Sequence, residues 1–157
     1  MKEHAVEAVR TQGENRLNVL MAGQDESWCD QLPRLLEPQG VKAIRAASVD
    51  EALEVIEHQK IHAAVIGMWT PTAKQPFADT TPGGLKLLRV IQRLEPSPPA
   101  VVVRDRSFVG RWDDRWLSEA MKLDVFSVLD QPVGLEQMLE VFRRLIKRYY
   151  RDQWPGA

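Results

Sequence analysis

The sequence lacks the features that mark disulfide-bonded, membrane-spanning and multi-cysteine metal proteins. Cys29 is the single cysteine in 157 residues, which excludes an internal disulfide and a zinc site built from several cysteines. No apolar run approaches the roughly 20 residues needed to span a bilayer, and residues 1–15 contain no apolar signal-peptide core. We therefore expect a protein of the reducing cytoplasm with no membrane partner.

An excess of charge of one sign is also missing. Twenty-one basic and 22 acidic residues leave a net charge of -1, which argues against nucleic-acid binding through bulk charge. There is no phosphate-binding glycine motif, and His4, His58 and His62 have no Ser or Cys partner at a catalytic spacing. The sequence therefore predicts no catalytic residue, no metal ligand and no cofactor.

Short apolar runs alternate with amphipathic stretches over residues 17–150. Residues 1–16 are interpreted as a leader with a short helix over 2–11, and residues 151–157 as a tail. Five apolar runs suit strands that are buried on both faces. Their alternation with helices predicts a three-layer, doubly wound α/β fold around a parallel sheet, in which function is expected at the carboxyl ends of the strands.

The element boundaries follow from apolar spacing and from local capping signals. Ser48 and Glu51 have the spacing of a capping box, so a helix is expected to begin there. The predicted strands cover 19–22, 41–46, 61–66, 100–103 and 125–129, and the predicted helices cover 27–37, 49–58, 84–94, 112–123 and 135–150.

Four short segments occur in an order and spacing that resembles the CheY-like receiver family of response regulators. They are Leu35–Gly40, Ala46–Leu53, Thr70-Pro71 followed by Gly84–Leu88, and Gln131-Pro132-Val133. The resemblance covers about Leu17 to Ile146. It implies a flavodoxin-like (βα)5 fold with a five-stranded parallel sheet of order 2-1-3-4-5, and a cis peptide between Gln131 and Pro132.

The resemblance also implies which positions would carry phosphoryl transfer. A receiver holds Mg²⁺ with acidic residues after the first strand and accepts a phosphoryl group on an Asp after the third. A hydroxyl after the fourth strand and a Lys after the fifth bind the phosphoryl group. In this chain those positions are Gly23, Gln24, Gly67, Arg104 and Gln131. All five depart from the family pattern, and Gly67 has no side chain to phosphorylate, so the resemblance is to a degenerate pseudo-receiver.

Arg104 has two readings. In one, its guanidinium fills the vacated space and bonds to Asp25, Asp105 or loop carbonyls; in the other, it points into solvent. The aromatic switch position of the family is Val128 here, and Phe126 is expected on the same side of the strand.

We expect signalling through protein contact, with another signalling protein or output domain as partner. A homodimer through the fourth helix, fifth strand and fifth helix is a second arrangement that the resemblance implies. The candidate interface residues are Trp112, Trp116, Phe126, Arg143 and Lys147. The two tryptophans could instead pack in the core, and the basic face of the last helix could simply be solvated and suit the helix dipole.

Two further alternatives stay open. Residues 72–83 form a long loop, which is either a tolerated insertion or a lid or docking element. A small-ligand or nucleotide sensor would use the cleft at the strand ends, with Arg104 and Gln131 as anion contacts. An enzyme is the least favoured hypothesis, because no acid–base pair assembles at the strand ends.

Overall fold

A parallel sheet of five strands forms the centre of the protein. The structure, a computed structural model, describes residues 17–23, 27–72, 83–104, 111–131 and 133–150. The strand order is β2-β1-β3-β4-β5. The strands are β1 (Leu17–Ala22), β2 (Val41–Ala46), β3 (Ala63–Gly67), β4 (Ala100–Arg104) and β5 (Ser127–Asp130).

Five helices cover the two faces of the sheet. They are α1 (Ser27–Leu36), α2 (Val49–His58), α3 (Gly84–Gln92), α4 (Arg111–Lys122) and α5 (Leu135–Tyr150), and a 3₁₀ turn (Glu37–Gln39) follows α1. The predicted three-layer (βα)5 fold and its strand order 2-1-3-4-5 are confirmed. The predicted helix over 2–11 and the tail 151–157 lie outside the described residues.

The alternation of side chains along each strand divides the core into two layers. In β1, Val19 and Met21 pack in the layer that contains buried residues of α1 and α5, including Cys29 and Phe142. Leu20 of the same strand packs in the opposite layer, which contains buried residues of α2, α3 and α4. Burial on both faces explains why the central strands β3 and β4 are nearly continuous apolar runs.

The start of α2 shows how local sequence fixes an element boundary. The Ser48 hydroxyl accepts a hydrogen bond from the Glu51 backbone N–H at 3.1 Å. In return, the Glu51 carboxylate accepts from the backbone N–H of Ala47 at 2.6 Å. These bonds satisfy backbone donors that a helix start leaves unpaired. The predicted helix start at Ser48 is confirmed, with Ser48 as the N-cap.

The fifth strand begins later than predicted, which overturns one expectation. Its ladder starts at Ser127, so the alternation of β5 does not extend back to Phe126. Phe126 packs in the layer of α1 and α5, where its ring lies 5.9 Å from that of Tyr149. Val128 packs in the opposite layer. The prediction that Phe126 and Val128 share a side was therefore wrong.

Candidate functional site

The carboxyl edge of the sheet brings together four of the five positions singled out in the sequence. Gly67 and Arg104 are the last residues of β3 and β4, while Gly23 and Gln131 directly follow β1 and β5. Backbone bonds hold the two flanking residues, because the Gly23 N–H donates to Ala46 at 3.1 Å and the Gln131 N–H donates to Arg104 at 2.9 Å. Gln24 and Pro132 lie outside the described residues, and so does the predicted cis peptide.

Arg104 forms an ion pair at this edge. Its Nε donates to Asp130 Oδ1 at 2.7 Å, and the side chains are 13% and 38% exposed for Arg104 and Asp130. The reading in which Arg104 points freely into solvent is therefore wrong. The anticipated partners Asp25 and Asp105 lie outside the described residues. A charge-assisted hydrogen bond of this length is among the stronger polar contacts that proteins form.

Asp130 is a site residue that the sequence reasoning missed. It ends β5 and is the register partner of Arg104 across the β4–β5 ladder. The sequence did contain a signal for Asp130, because the last residues of neighbouring parallel strands lie at the same edge of a sheet. Among the residues that end the five strands, Asp130 is the only carboxylate. Its pairing with Arg104 partly neutralises the guanidinium that a nucleotide-sensing cleft would need.

The turn after β3 is closed by Thr70. Its buried hydroxyl donates to the Gly67 carbonyl at 2.7 Å and lies 3.2 Å from the carbonyl of Ala22. The hydroxyl therefore links the ends of β3 and β1. It also binds the backbone directly beside the position where the resemblance places an acceptor Asp.

Both ends of the long loop meet at this turn. The Gly83 N–H donates to Thr70 at 3.0 Å and the Gly84 N–H donates to Met68 at 3.3 Å. A Cβ on Gly83 would lie 2.3 Å from the Thr70 carbonyl oxygen, and one on Gly84 would lie 2.6 Å from that of Gly67. Glycine is therefore required where α3 begins. Residues 73–82 of the loop lie outside the described residues.

Within the ranges that the structure describes, no three His, Cys, Asp or Glu side chains are grouped so that they could hold a metal ion. Gly67 contributes no side-chain atom, and the Thr70 hydroxyl is bonded to backbone carbonyls. What the described edge offers chemically is one paired cation and one paired carboxylate. This arrangement can fix the ends of β4 and β5 relative to each other.

The candidate interface residues do not form one surface. Trp116 is 2% exposed and packs in the core with Ala120, which removes it from any interface. Its indole Nε1 is buried and has no hydrogen-bond partner among the described residues. The Trp112 side chain lies outside the described residues. The two tryptophans were predicted either to contribute to an interface or to pack in the core, and the second prediction is correct for Trp116.

The other three candidates lie just before β5 and on α5. Phe126 is half-buried against Tyr149, whereas Arg143 and Lys147 are exposed on α5. Arg143 lies 3.6 Å from Glu140, one turn earlier. Among the described residues, two large apolar side chains are exposed, Met121 at 61% and Tyr149 at 43%, and neither was among the predicted interface residues.

Comparison with known proteins identifies the fold. No protein-family profile and no curated protein sequence matches the chain. A response regulator receiver protein from Pseudomonas putida is 25% identical, with a TM-score of 0.63, over 82% of this chain and 97% of that one. A CheY-like receiver domain protein from Methanospirillum hungatei is 18% identical, with a TM-score of 0.68, over 87% and 98%.

A response regulator from Thermotoga maritima is also similar, at 18% identity and a TM-score of 0.65, over 84% of this chain and 98% of that one. At these identities the likeness is one of fold. The chain therefore has the receiver-domain fold of two-component response regulators. In the part of the chain that the structure describes, no helix has the length and apolarity to cross a membrane.

Proposed function

We propose that this chain is a pseudo-receiver of two-component or phosphorelay-type signalling that acts by protein contact, without aspartyl phosphorylation and without enzymatic activity. One observation carries the proposal. The residue that ends β3, where the receiver resemblance places the acceptor Asp, is Gly67. A residue without a side chain cannot form an acyl phosphate.

The charges at the strand ends support the same proposal. Phosphoryl transfer needs oxygen ligands for Mg²⁺ and positioned donors for the phosphoryl oxygens. At the expected hydroxyl position the chain has Arg104, whose guanidinium pairs with Asp130 at 2.7 Å. At the expected lysine position it has Gln131, which carries no charge. A cation is thus already bound to a protein carboxylate where a receiver would bind its phosphoryl group.

The surface formed by α4, β5 and α5 is the contact site that we favour, for a signalling protein, an output domain or a second copy of the chain. Met121 and Tyr149 are exposed there, on α4 and α5, and Phe126 is half-buried beside Tyr149. Exposed large apolar groups are a feature of interfaces, where aromatic residues contribute strongly. Exposed Arg143 and Lys147 extend the surface along α5.

Incubation with a small-molecule phosphodonor tests the proposal directly. The chain is treated with acetyl phosphate and Mg²⁺, and its intact mass is measured, with an ordinary Asp-bearing receiver treated in parallel as the positive control. We expect no phosphorylated species. A stable phosphoprotein would overturn the proposal.

The variant Gly67→Asp tests whether only the acceptor residue is missing or whether the other residues needed for phosphoryl transfer are missing as well. We expect it to remain unphosphorylated, because Arg104 and Gln131 would still replace the hydroxyl and lysine of the site. Phosphorylation of Gly67→Asp at the rate of the control receiver would show that the remaining site is competent. The proposed loss would then be limited to one residue.

A further inference from the structure

His62 joins the first strand to the sheet at the edge opposite the candidate site. Its backbone N–H donates to the Asn18 carbonyl at 2.8 Å. Its ring Nδ1 accepts the Asn18 backbone N–H at 2.9 Å. A ring nitrogen can accept a hydrogen bond only while it carries no proton. This contact therefore requires the neutral imidazole with its proton on Nε2.

The Asn18 side chain makes a second bond to the same segment. Its Nδ2 donates to the carbonyl of Lys60, two residues before His62, at 2.8 Å. Because the Asn18 backbone N–H donates to an imidazole nitrogen, that bond at the beginning of β1 is titratable.

The last turn of α5 packs on the same histidine. The Tyr150 hydroxyl donates to the His62 carbonyl. The two rings meet edge to face, with centroids 5.9 Å apart and an interplanar angle of 68°. Asn18, His62 and Tyr150 therefore form one junction, the amino-edge junction, between the first strand and the last helix.

We propose that the amino-edge junction is a pH-sensitive contact, in which protonation of His62 Nδ1 releases the Asn18 N–H and loosens both the start of β1 and the last turn of α5. Among the residues that the structure describes, two titratable groups face the ring: Lys60, on the segment that leads into β3, and Tyr150 of α5. The facing residue of β1, Asn18, is uncharged. This regulation lies outside the strand-end site and does not depend on whether that site is phosphorylated.

The electrostatics of the junction agree with its geometry. Burial lowers the pKa of His62 from 6.5, and the positive charge of Lys60 lowers it further. In the unfolded chain the imidazole therefore takes up its proton at a higher pH than in the folded protein. The stabilisation by the neutral ring is complete above about pH 6.5 and declines as the pH falls towards the lower folded-state pKa.

Nuclear magnetic resonance tests the junction in the intact chain. At neutral pH, the imidazole ¹⁵N shifts are expected to show a bare Nδ1 and a protonated Nε2. On acidification, amide-exchange protection of Asn18 should fall by up to about tenfold per pH unit between about pH 6.5 and the folded-state pKa, and should level off below that pKa. Protection in the last turn of α5 should fall over the same range.

Two variants separate titration of His62 from general acid effects. His62→Asn places an Oδ1 acceptor near the position of Nδ1 but cannot be protonated, so the acid-dependent loss of protection at both ends of the junction should disappear. His58→Asn is the matched control, because His58 is exposed on α2 and its ring is hydrogen-bonded to the Glu54 carbonyl of its own helix. It should keep the wild-type response.

Three results would overturn the proposal: a proton on Nδ1 at neutral pH, unchanged protection of Asn18 after His62 has titrated, or an acid response that persists in His62→Asn. If His62→Asn does not fold, the first two measurements on the wild-type chain still decide the question. None of these outcomes bears on the absence of an acceptor at Gly67.

Discussion

Arg104 and Asp130 are register partners at the ends of β4 and β5, and their side chains form an ion pair with Nε and Oδ1 2.7 Å apart. The pair lies where the receiver resemblance places the hydroxyl and lysine that respond to a phosphoryl group. The ends of these two strands are connected by two side chains of the chain itself.

Neutralising either partner should destabilise the fold. Because Arg104 is largely shielded and Asp130 is partly exposed, Arg104→Gln and Asp130→Asn are each expected to lower the free energy of unfolding by about 1–3 kcal/mol. The double variant should lose less than the sum of the two, by about 1 kcal/mol. Urea unfolding of the four proteins measures this coupling.

An exposed ion pair of the same chain provides the control. Arg143 and Glu140 lie 3.6 Å apart on the surface of α5, and their coupling is expected to be only about 0–0.5 kcal/mol. Strict additivity of Arg104→Gln and Asp130→Asn would mean that the bond between strand ends adds nothing to stability.

The close approach of Gly84 to Gly67 predicts that α3 cannot begin with any larger residue. A Cβ on Gly84 would lie 2.6 Å from the Gly67 carbonyl oxygen, and that oxygen belongs to backbone that cannot move freely. Gly84→Ala is therefore expected to cost about 1–3 kcal/mol of stability. Gly134→Ala is the control, since a Cβ there has no atom within 4 Å, and its effect should stay within about 0.5 kcal/mol. Equal effects in thermal unfolding would contradict this.

The elements could be predicted because their signals are local. The apolar run that contains Val101 and Val102 identifies β4, and Ser48 with Glu51 identifies the start of α2. The Arg104–Asp130 pair could not be found in this way, because 26 residues separate the partners and only the register of two strands brings them together. The predicted partners of Arg104 were Asp25, Asp105 and loop carbonyls near the vacated site, and Asp130 was passed over.

Exposure was the second property that the sequence could not provide. Trp116 and Met121 are both large apolar residues of α4, yet one is buried and the other is largely exposed. Which face of α4 meets the sheet depends on how the helix packs against α3 and β4, and a helix with few apolar residues leaves that rotation weakly specified. The error for Phe126 had a different cause, because β5 begins at Ser127 and its alternation does not include Phe126.

The capping box of α2 predicts a measurable loss from a single hydroxyl. Ser48 is fully buried, and its Oγ accepts the Glu51 N–H, so Ser48→Ala should cost about 0.5–2 kcal/mol. Ser97→Ala is the comparison, because Ser97 is exposed and its hydroxyl makes one bond, to the Ile91 carbonyl at 3.1 Å. Its cost should be smaller, within about 0.5 kcal/mol. Chemical denaturation measures the free energy of unfolding of both variants, and equal losses would show that the Ser48 cap does not stabilise α2.

The Tyr150 hydroxyl predicts a loss of stability in alkali. Burial raises the pKa of Tyr150 from 10.0 to about 12 in the folded protein, so the unfolded chain releases this proton first. Its contribution is therefore complete below about pH 10 and is lost as the pH rises towards 12. Tyr150→Phe lacks the hydroxyl and this pH dependence, so the stability difference between wild type and variant should shrink over that interval.

Tyr149→Phe, at an exposed ring of the same turn, controls for the titration of other groups. A difference between wild type and Tyr150→Phe that stays constant from about pH 9 to about pH 12 would show that the hydroxyl bonded to His62 is not shielded as the structure describes.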